Sequence, residues 1–225
     1  MHNTFFKKRY NMNSINKEMH RGTDVIKRTV TLKRESLEQI SYFCGNEEIA
    51  SELYDKRGVL IQRAGMIPDG AVIECYRDGS VKRAINFENG KPHGDSTDYY
   101  PNGEIREENT FKKGVLHGPS KTYRRGGMLW IDAYYSSGRL HGAFTIYHDN
   151  GNVETKAEYK KGKLNGYYAK YNRYGGLTEE GFFVIGRKHG YYKFYYEAGQ
   201  LGRLERYERG RLVYLLKLDE DGNEI

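Results

Sequence analysis

Three series of glycines run through the chain in steps of 24 residues, and no other feature limits the fold so tightly. Gly70, Gly94, Gly118, Gly142, Gly166 and Gly190 form the first. Gly79, Gly103, Gly127, Gly151, Gly175 and Gly199 form the second. Gly90, Gly114, Gly138, Gly162, Gly186 and Gly210 form the third. Together they account for eighteen of the 27 glycines. A fixed period of this length is the signature of a repeat architecture, in which each copy is one supersecondary unit stacked on its neighbours.

The unit reads as a β-hairpin. Tyr100-Pro101-Asn102-Gly103-Glu104 places proline where φ near −65° is wanted and glycine where φ must be positive. That is a type I turn followed by a left-handed glycine, the three-residue hairpin loop with a bulge. His148-Asp149-Asn150-Gly151 and Arg77-Asp78-Gly79 repeat it, and Phe111-Lys112-Lys113-Gly114-Val115 reads as the same loop joining one hairpin to the next. The segments between loops are of ordinary strand length and show no apolar stripe of helical period. Alternation along them separates Val153, Ala157 and Tyr159 from Glu154, Lys156 and Glu158, which predicts one apolar and one charged face. The column Tyr99, Tyr123, Tyr147, Tyr171 and Tyr195 is expected to help build the apolar face.

The predicted fold is therefore all-β: an elongated antiparallel sheet of tandem 24-residue hairpins, with a short N-terminal cap that includes a helix at about 36–43. The helix expectation rests on Ser36-Leu37-Glu38-Gln39, which has the form of a capping box; residues 24–33 read as a strand. The division is a basic flexible arm over 1–22, a cap with a degenerate half-repeat over 23–66, six repeats over 67–212, and a cap strand with an acidic tail over 213–225.

Charge is unevenly placed. The net charge of +7 lies wholly in residues 1–34, where Lys7, Lys8, Arg9, Lys17, Arg21, Lys27, Arg28, Lys33 and Arg34 face only Glu18 and Asp24. The remainder carries equal numbers of each sign. Attraction to an anionic membrane surface would thus belong to the arm, and a balanced repeat region argues against sequence-specific binding of nucleic acid. Cys44 and Cys75 are too few for a disulfide scaffold. With no apolar stretch long enough to span a bilayer and no secretory signal pattern, a cytoplasmic location is expected.

Gly-x-x-His-Gly followed by an aromatic stands here as Gly90-Lys91-Pro92-His93-Gly94, Gly114-Val115-Leu116-His117-Gly118, Gly138-Arg139-Leu140-His141-Gly142 and Gly186-Arg187-Lys188-His189-Gly190, with Asn165 replacing histidine in the fifth copy. At this period the pattern resembles the MORN (membrane occupation and recognition nexus) repeat, in particular the variant type of bacterial proteins, some of which are antitoxins of toxin–antitoxin systems. The resemblance covers roughly residues 50–218. It implies elongated hairpin sheets and a binding or scaffold role.

The residues offer no catalytic constellation. His93, His117, His141 and His189 share one phase, but equivalent positions stand about 9.6 Å apart, too far for two imidazoles to share a metal. A small polar hydrogen-bonding role at the strand start suits a phase that also holds Asp69 and Asn165. No nucleophile elbow, phosphate loop or paired CxxC occurs, so no enzyme activity, metal or cofactor is expected. A protein partner is the leading expectation. Tyr167, Tyr168, Tyr191, Tyr192 and Tyr196, which fall outside the regular columns, and Trp130 are the candidate contact residues, because aromatics beside Arg and Lys are what binding hot spots contain. Membrane association through the arm and carbohydrate binding, the latter suggested by Tyr54-Asp55-x-x-Gly58-x-Leu60, are the alternatives.

Overall fold

The computed structural model describes residues 25–32 and 37–225, and among them every regular element is a strand. Two compact units are present, up to Glu104 and from Ile105 onward. The first holds β1 (Val25–Leu32), β2 (Leu37–Cys44), β3 (Glu47–Tyr54), β4 (Leu60–Gly65), β5 (Gly70–Cys75), β6 (Val81–Glu88) and β7 (Lys91–Tyr99). The second holds β8 (Ile105–Lys112), β9 (Val115–Tyr123), β10 (Leu129–Ser136), β11 (Arg139–Tyr147), β12 (Val153–Lys160), β13 (Lys163–Tyr171), β14 (Leu177–Val184), β15 (Arg187–Tyr195), β16 (Leu201–Glu208) and β17 (Arg211–Lys217).

In the first unit the pairings run β4, β3, β2, β1, β5, β6, β7. All are antiparallel except β1 against β5, where Val25 stands beside Val72. A parallel pair needs a crossover, and here three strands and the connection 66–69 intervene. Ile67 on that connection is buried together with Val25, Tyr42, Ala50 and Val72, and Phe87 meets Tyr42 edge to face at 6.3 Å. This core fixes the cap onto the first repeat.

The helix expected at 36–43 is strand β2, whose residues pair with β1 on one side and β3 on the other. A capping box is a local signal. It loses here to β-branched and aromatic residues, Ile40, Tyr42 and Phe43, that have a sheet edge available on both sides. The half-repeat around Gly58 is a complete hairpin loop. Asp55 N–H donates to the Val59 carbonyl and Gly58 N–H to the Asp55 carbonyl, as Tyr76 and Gly79 do one loop later. The expected strand at 24–33 is β1. The arm over 1–22 lies outside the described residues.

The second unit is a plain antiparallel meander. Its loops are of two kinds, not one. Those at Gly127, Gly151, Gly175 and Gly199 are the expected type I turn with a left-handed glycine. Those at Gly114, Gly138, Gly162, Gly186 and Gly210 are instead two-residue turns, as in Lys112 paired directly with Val115. Both central residues have positive φ, so Lys113, Ser137, Lys161, Ile185 and Arg209 are held left-handed without being glycine. That is the type I′ geometry, whose twist matches the flanking strands. In this unit lysine, serine, isoleucine or arginine before the glycine hides it; Asn89-Gly90, at the same phase in the first unit, is the spelling that announces it.

The histidine phase supports these turns. Asp69 Oδ1, His117 Nδ1 and Asn165 Oδ1 accept hydrogen bonds from the N–H groups of Asn89, Ser137 and Ile185, each the left-handed residue twenty positions on, at 2.6, 3.3 and 3.2 Å. This is the small polar role that the substitutions at this phase suggested. His93 Nδ1 lies 2.6 Å from Glu88.

Ile185 is the costliest of the left-handed residues. It is β-branched, has φ of 51°, and is 64% exposed, so it gains little burial in exchange. A left-handed β-branched residue costs roughly 1–2 kcal/mol. Ile185→Asn is therefore expected to raise stability by about 1 kcal/mol, read as a higher urea midpoint with an unchanged slope. A lower midpoint would show that the Ile185 side chain contributes more than its backbone costs.

One row of side chains runs across the second unit on its apolar face. The register links Asn109, Ser120, Ala133, Phe144, Ala157, Tyr168, Gly181, Tyr192 and Glu205 in succession. From Ala133 to Tyr192, small residues alternate with aromatic ones. Each ring lies over a small neighbour, so a single layer of side chains buries Ala133, Ala157 and Tyr192. Cross-strand pairs of this kind are the unit from which sheet stability is built.

Candidate interaction surface

Besides the run Phe194-Tyr195-Tyr196, the last two repeats contain three aromatic doublets: Tyr167-Tyr168, Phe182-Phe183 and Tyr191-Tyr192. Successive side chains of a strand point to opposite faces, so each doublet divides. Tyr168, Phe183 and Tyr192 share the apolar face. Tyr168 stacks on Tyr192 at 6.4 Å, and Phe183 stands edge-on to Tyr168 and Tyr192 at 5.5 and 5.9 Å. Tyr192 is only 2% exposed. Its hydroxyl donates to Glu179, and Lys188 Nζ lies 3.7 Å above its ring. Tyr192 thus belongs to the packing of the sheet and not to an exposed contact surface, while Tyr168, stacked against it, is half-buried.

The other members of the doublets face outward. Tyr167 meets Phe182 edge to face at 5.6 Å, and Tyr191 pairs across the sheet with Arg206, which pairs in turn with Tyr214. Phe182 and Tyr191 are each 54% exposed. Tyr167 is half-buried, and its hydroxyl donates to Glu180 at 2.9 Å. Glu180 also accepts from Tyr195 at 2.7 Å and Lys193 at 3.0 Å. These donors, Tyr195 first, hold its carboxyl below the ordinary glutamate value. Burial, with the hydrogen bond to Glu180 next, pushes the Tyr167 phenol up. The patch is therefore a rigid floor: an anionic carboxylate fixed by three donors, with Tyr167 and Phe182 beside it. Reading the tyrosines alone misses Phe182; the Phe182-Phe183 doublet was the available signal.

The remaining candidates are placed differently. Tyr196 is half-buried and donates to the Leu218 carbonyl at 2.8 Å. It belongs to a phase in which the residue opening one loop reaches a carbonyl of the next repeat: Tyr76 to Tyr99 and His148 to Tyr171 do the same. Trp130 lies in another repeat, partly exposed, with the Arg124 guanidinium 4.7 Å from its ring centroid. The tyrosine column departs from its expected place on the apolar face. Tyr123 and Tyr195 reach Glu108 and Glu180, carboxylates of the charged face, because alternation along β9 and β15 sets them on the side opposite Ser120 and Tyr192. Of the basic-arm residues, Lys27 sits in β1, 3.8 Å from Glu74, and Arg28 also lies in β1. Lys7, Lys8, Arg9, Lys17, Arg21, Lys33 and Arg34 lie outside the described residues. The Tyr54-Asp55 motif is engaged within its own hairpin: Tyr54 donates to Glu52, and Asp55 accepts from the backbone of Arg57 and Val59.

Hairpins of fixed length, joined by two alternating turn types and laid side by side in register, define a β-hairpin repeat protein. A family model described as the MORN repeat variant matches residues 92–113, 140–161 and 188–209. The matched segments are alternate copies 48 residues apart, each running from just after one type I′ turn to the left-handed residue of the next. The chain belongs among the MORN-repeat proteins of the variant type, and in general terms it is a repeat-based binding or scaffold module. The comparison with curated proteins finds no match. No helix among the described residues is long and apolar enough to cross a membrane.

Proposed function

We propose that this chain is a non-enzymatic, cytoplasmic protein-binding module, of which a partner-neutralising antitoxin would be one instance. The observation that carries the reading is the outward row Tyr167, Phe182, Tyr191 and Arg206 in the last two repeats. Aromatics beside an arginine are the composition of binding hot spots, and the Glu180 carboxylate holds Tyr167, with Phe182 packed edge to face on it, without loop rearrangement.

The test is co-purification of a defined partner with the tagged chain, followed by Phe182→Ala combined with Tyr191→Ala. Both side chains are more than half exposed, so the double variant is expected to keep its thermal midpoint within a few degrees. Partner affinity is expected to fall by about 30-fold or more, the effect of losing about 2 kcal/mol at a hot spot. Recovery of no specific partner, or equal binding by the double variant, would overturn the proposal.

A further inference from the structure

The edge of β17 carries an arrangement that the repeats alone do not require. A cavity of about 480 Å³ opens between the last two type I′ turns, lined by Phe183, Arg187, Lys188, Tyr207, Arg209 and Arg211 and floored by Gly186 and Gly210. Of its four cations, only Lys188 has an ionic partner, Glu205 at 3.5 Å. Arg187, Arg209 and Arg211 are exposed and form no ion pair among the described residues. Lys188 is itself an exception: its equivalents are Pro92, Leu116, Leu140, Leu164 and Leu212. At Lys188 the site departs from the repeat in the direction of positive charge, adding to an arginine trio whose phases are also cationic at Arg139, Lys161 and Lys163.

Beyond Arg211 the strand turns apolar on both faces. Leu212, Val213, Tyr214 and Leu215 are 44–50% exposed. Among the described residues, β17 pairs along its length with β16 alone. A second antiparallel strand is begun only at its far end, where Ile225 N–H donates to the Lys217 carbonyl and Glu224 bridges Leu218. Open backbone groups beside exposed apolar side chains are a template for strand addition.

We infer that the β17 edge binds an extended acidic segment of a protein partner, its apolar residues against Leu212–Leu216 and its carboxylates in the Arg187–Arg209–Arg211 pocket. Unpaired guanidinium groups present forked donors to carboxylates. The strand already begun at Ile225 sets the direction as antiparallel, which places the acidic residues at the C-terminal end of the bound segment. A second copy is the poorer occupant, because antiparallel pairing of two β17 strands sets Arg211 opposite Lys217, like charge against like. A nucleic acid would need cations spread along the strand; here they are gathered at one end, and the rest is aliphatic. This edge is separate from the outward aromatic row and goes beyond that reading.

The experiment measures fluorescence anisotropy of the full chain with a labelled peptide of alternating valine and threonine ending in three glutamates. It is expected to bind roughly tenfold or more tightly than the same peptide ending in three lysines, and more tightly than glutamates alone. Arg187→Glu with Arg209→Glu and Arg211→Glu is expected to lose at least about tenfold, and the milder Arg187→Gln with Arg209→Gln about fivefold, each checked for folding by circular dichroism. Lys156→Glu, on the exposed charged face, and the Phe182→Ala, Tyr191→Ala pair are expected to change nothing, which separates this site from the aromatic row. Absence of binding, equal binding of the lysine-ended peptide, or equal competition by duplex DNA would overturn the inference. So would a dimer in sedimentation that disappears on Val213→Asp with Leu215→Asp, since a second copy would then be the occupant.

Discussion

Gly181→Ala is expected to destabilise the chain by about 2–3 kcal/mol, although the backbone at this position suits any residue and alanine is the better strand former. Gly181 is buried, and its register partner is Tyr192. The tyrosine ring lies flat across the glycine, so that an added Cβ would sit 2.6 Å from Cε2 and 2.8 Å from Cγ. The ring has nowhere to go. Tyr168 and Phe183 flank it on one side, Phe194 lies at 5.3 Å and Tyr207 at 6.5 Å, and Lys188 caps it. Overpacking of this kind typically costs 1–3 kcal/mol, against a propensity gain of about 0.5–1 kcal/mol for replacing glycine. The clash wins. Tyr192→Ala is expected to cost about 3–5 kcal/mol, as for other large buried aromatics. The decisive result is the pair together: in the Tyr192→Ala background, Gly181→Ala should cost little or become favourable, because the atoms it struck are gone. Urea midpoints of the four proteins measure this. Additive costs would mean that the glycine is required for some reason other than the ring.

That pair also marks what could and could not be read from the residue order. The period, the hairpin and the glycine loops at Gly103 and Gly151 were legible because identity is kept: glycine fills those left-handed positions in copy after copy, so the letters repeat. The row that holds the second unit together was not. Its phases read Ile85, Asn109, Ala133, Ala157, Gly181, Glu205 and Ser96, Ser120, Phe144, Tyr168, Tyr192. From Ala133 to Tyr192 each register pair holds one small and one aromatic residue, and a partner's size is invisible until the register is known. The same blindness assigned Tyr192 to an exposed surface and left Phe182 out of it. Each is one half of a doublet, and period-two alternation sends one member to each face. The tyrosine column at Tyr123 and Tyr195 failed for a different reason: each pairs with Leu129 or Leu201, and the extra residue just beyond, Trp130 or Gly202, puts that pair on the opposite face from the rest of β10 or β16. The helix expected at 36–43 failed because a four-residue capping signal carries less free energy than two flanking strands can offer Tyr42.

Glu52→Ala is expected to cost about 3–5 kcal/mol and to release β4 before the rest of the first unit. Every residue of β4 is exposed, so burial does little to hold it. Besides its backbone pairing with β3, what ties it inward is one carboxylate. Glu52 on β3 is 5% exposed and accepts from Arg63 Nε at 2.9 Å as well as from its Nη2, from Tyr42 on β2 at 3.1 Å, and from Tyr54 at 2.9 Å. Three strands thus meet on a single charge. Removing one member of such a buried group leaves the others without partners, and the cost exceeds the net contribution of the intact network. Replacing Glu52, Arg63 and Tyr42 together by Leu, Leu and Phe should therefore recover most of the loss. The phenols add a dependence on pH. Burial, followed by the carboxylate, pushes Tyr54 up to about 12 and raises Tyr42 further. A raised folded value means that this stabilisation is complete below the ordinary tyrosine value of 10 and is lost as pH rises through the folded one. Alkaline unfolding should begin above about pH 10, with hydrogen exchange at Leu60–Gly65 accelerating first. Uniform exchange across both units, or a Glu52→Ala cost below about 1 kcal/mol, would mean that the apolar cluster around Ile67 holds the cap without help from the carboxylate.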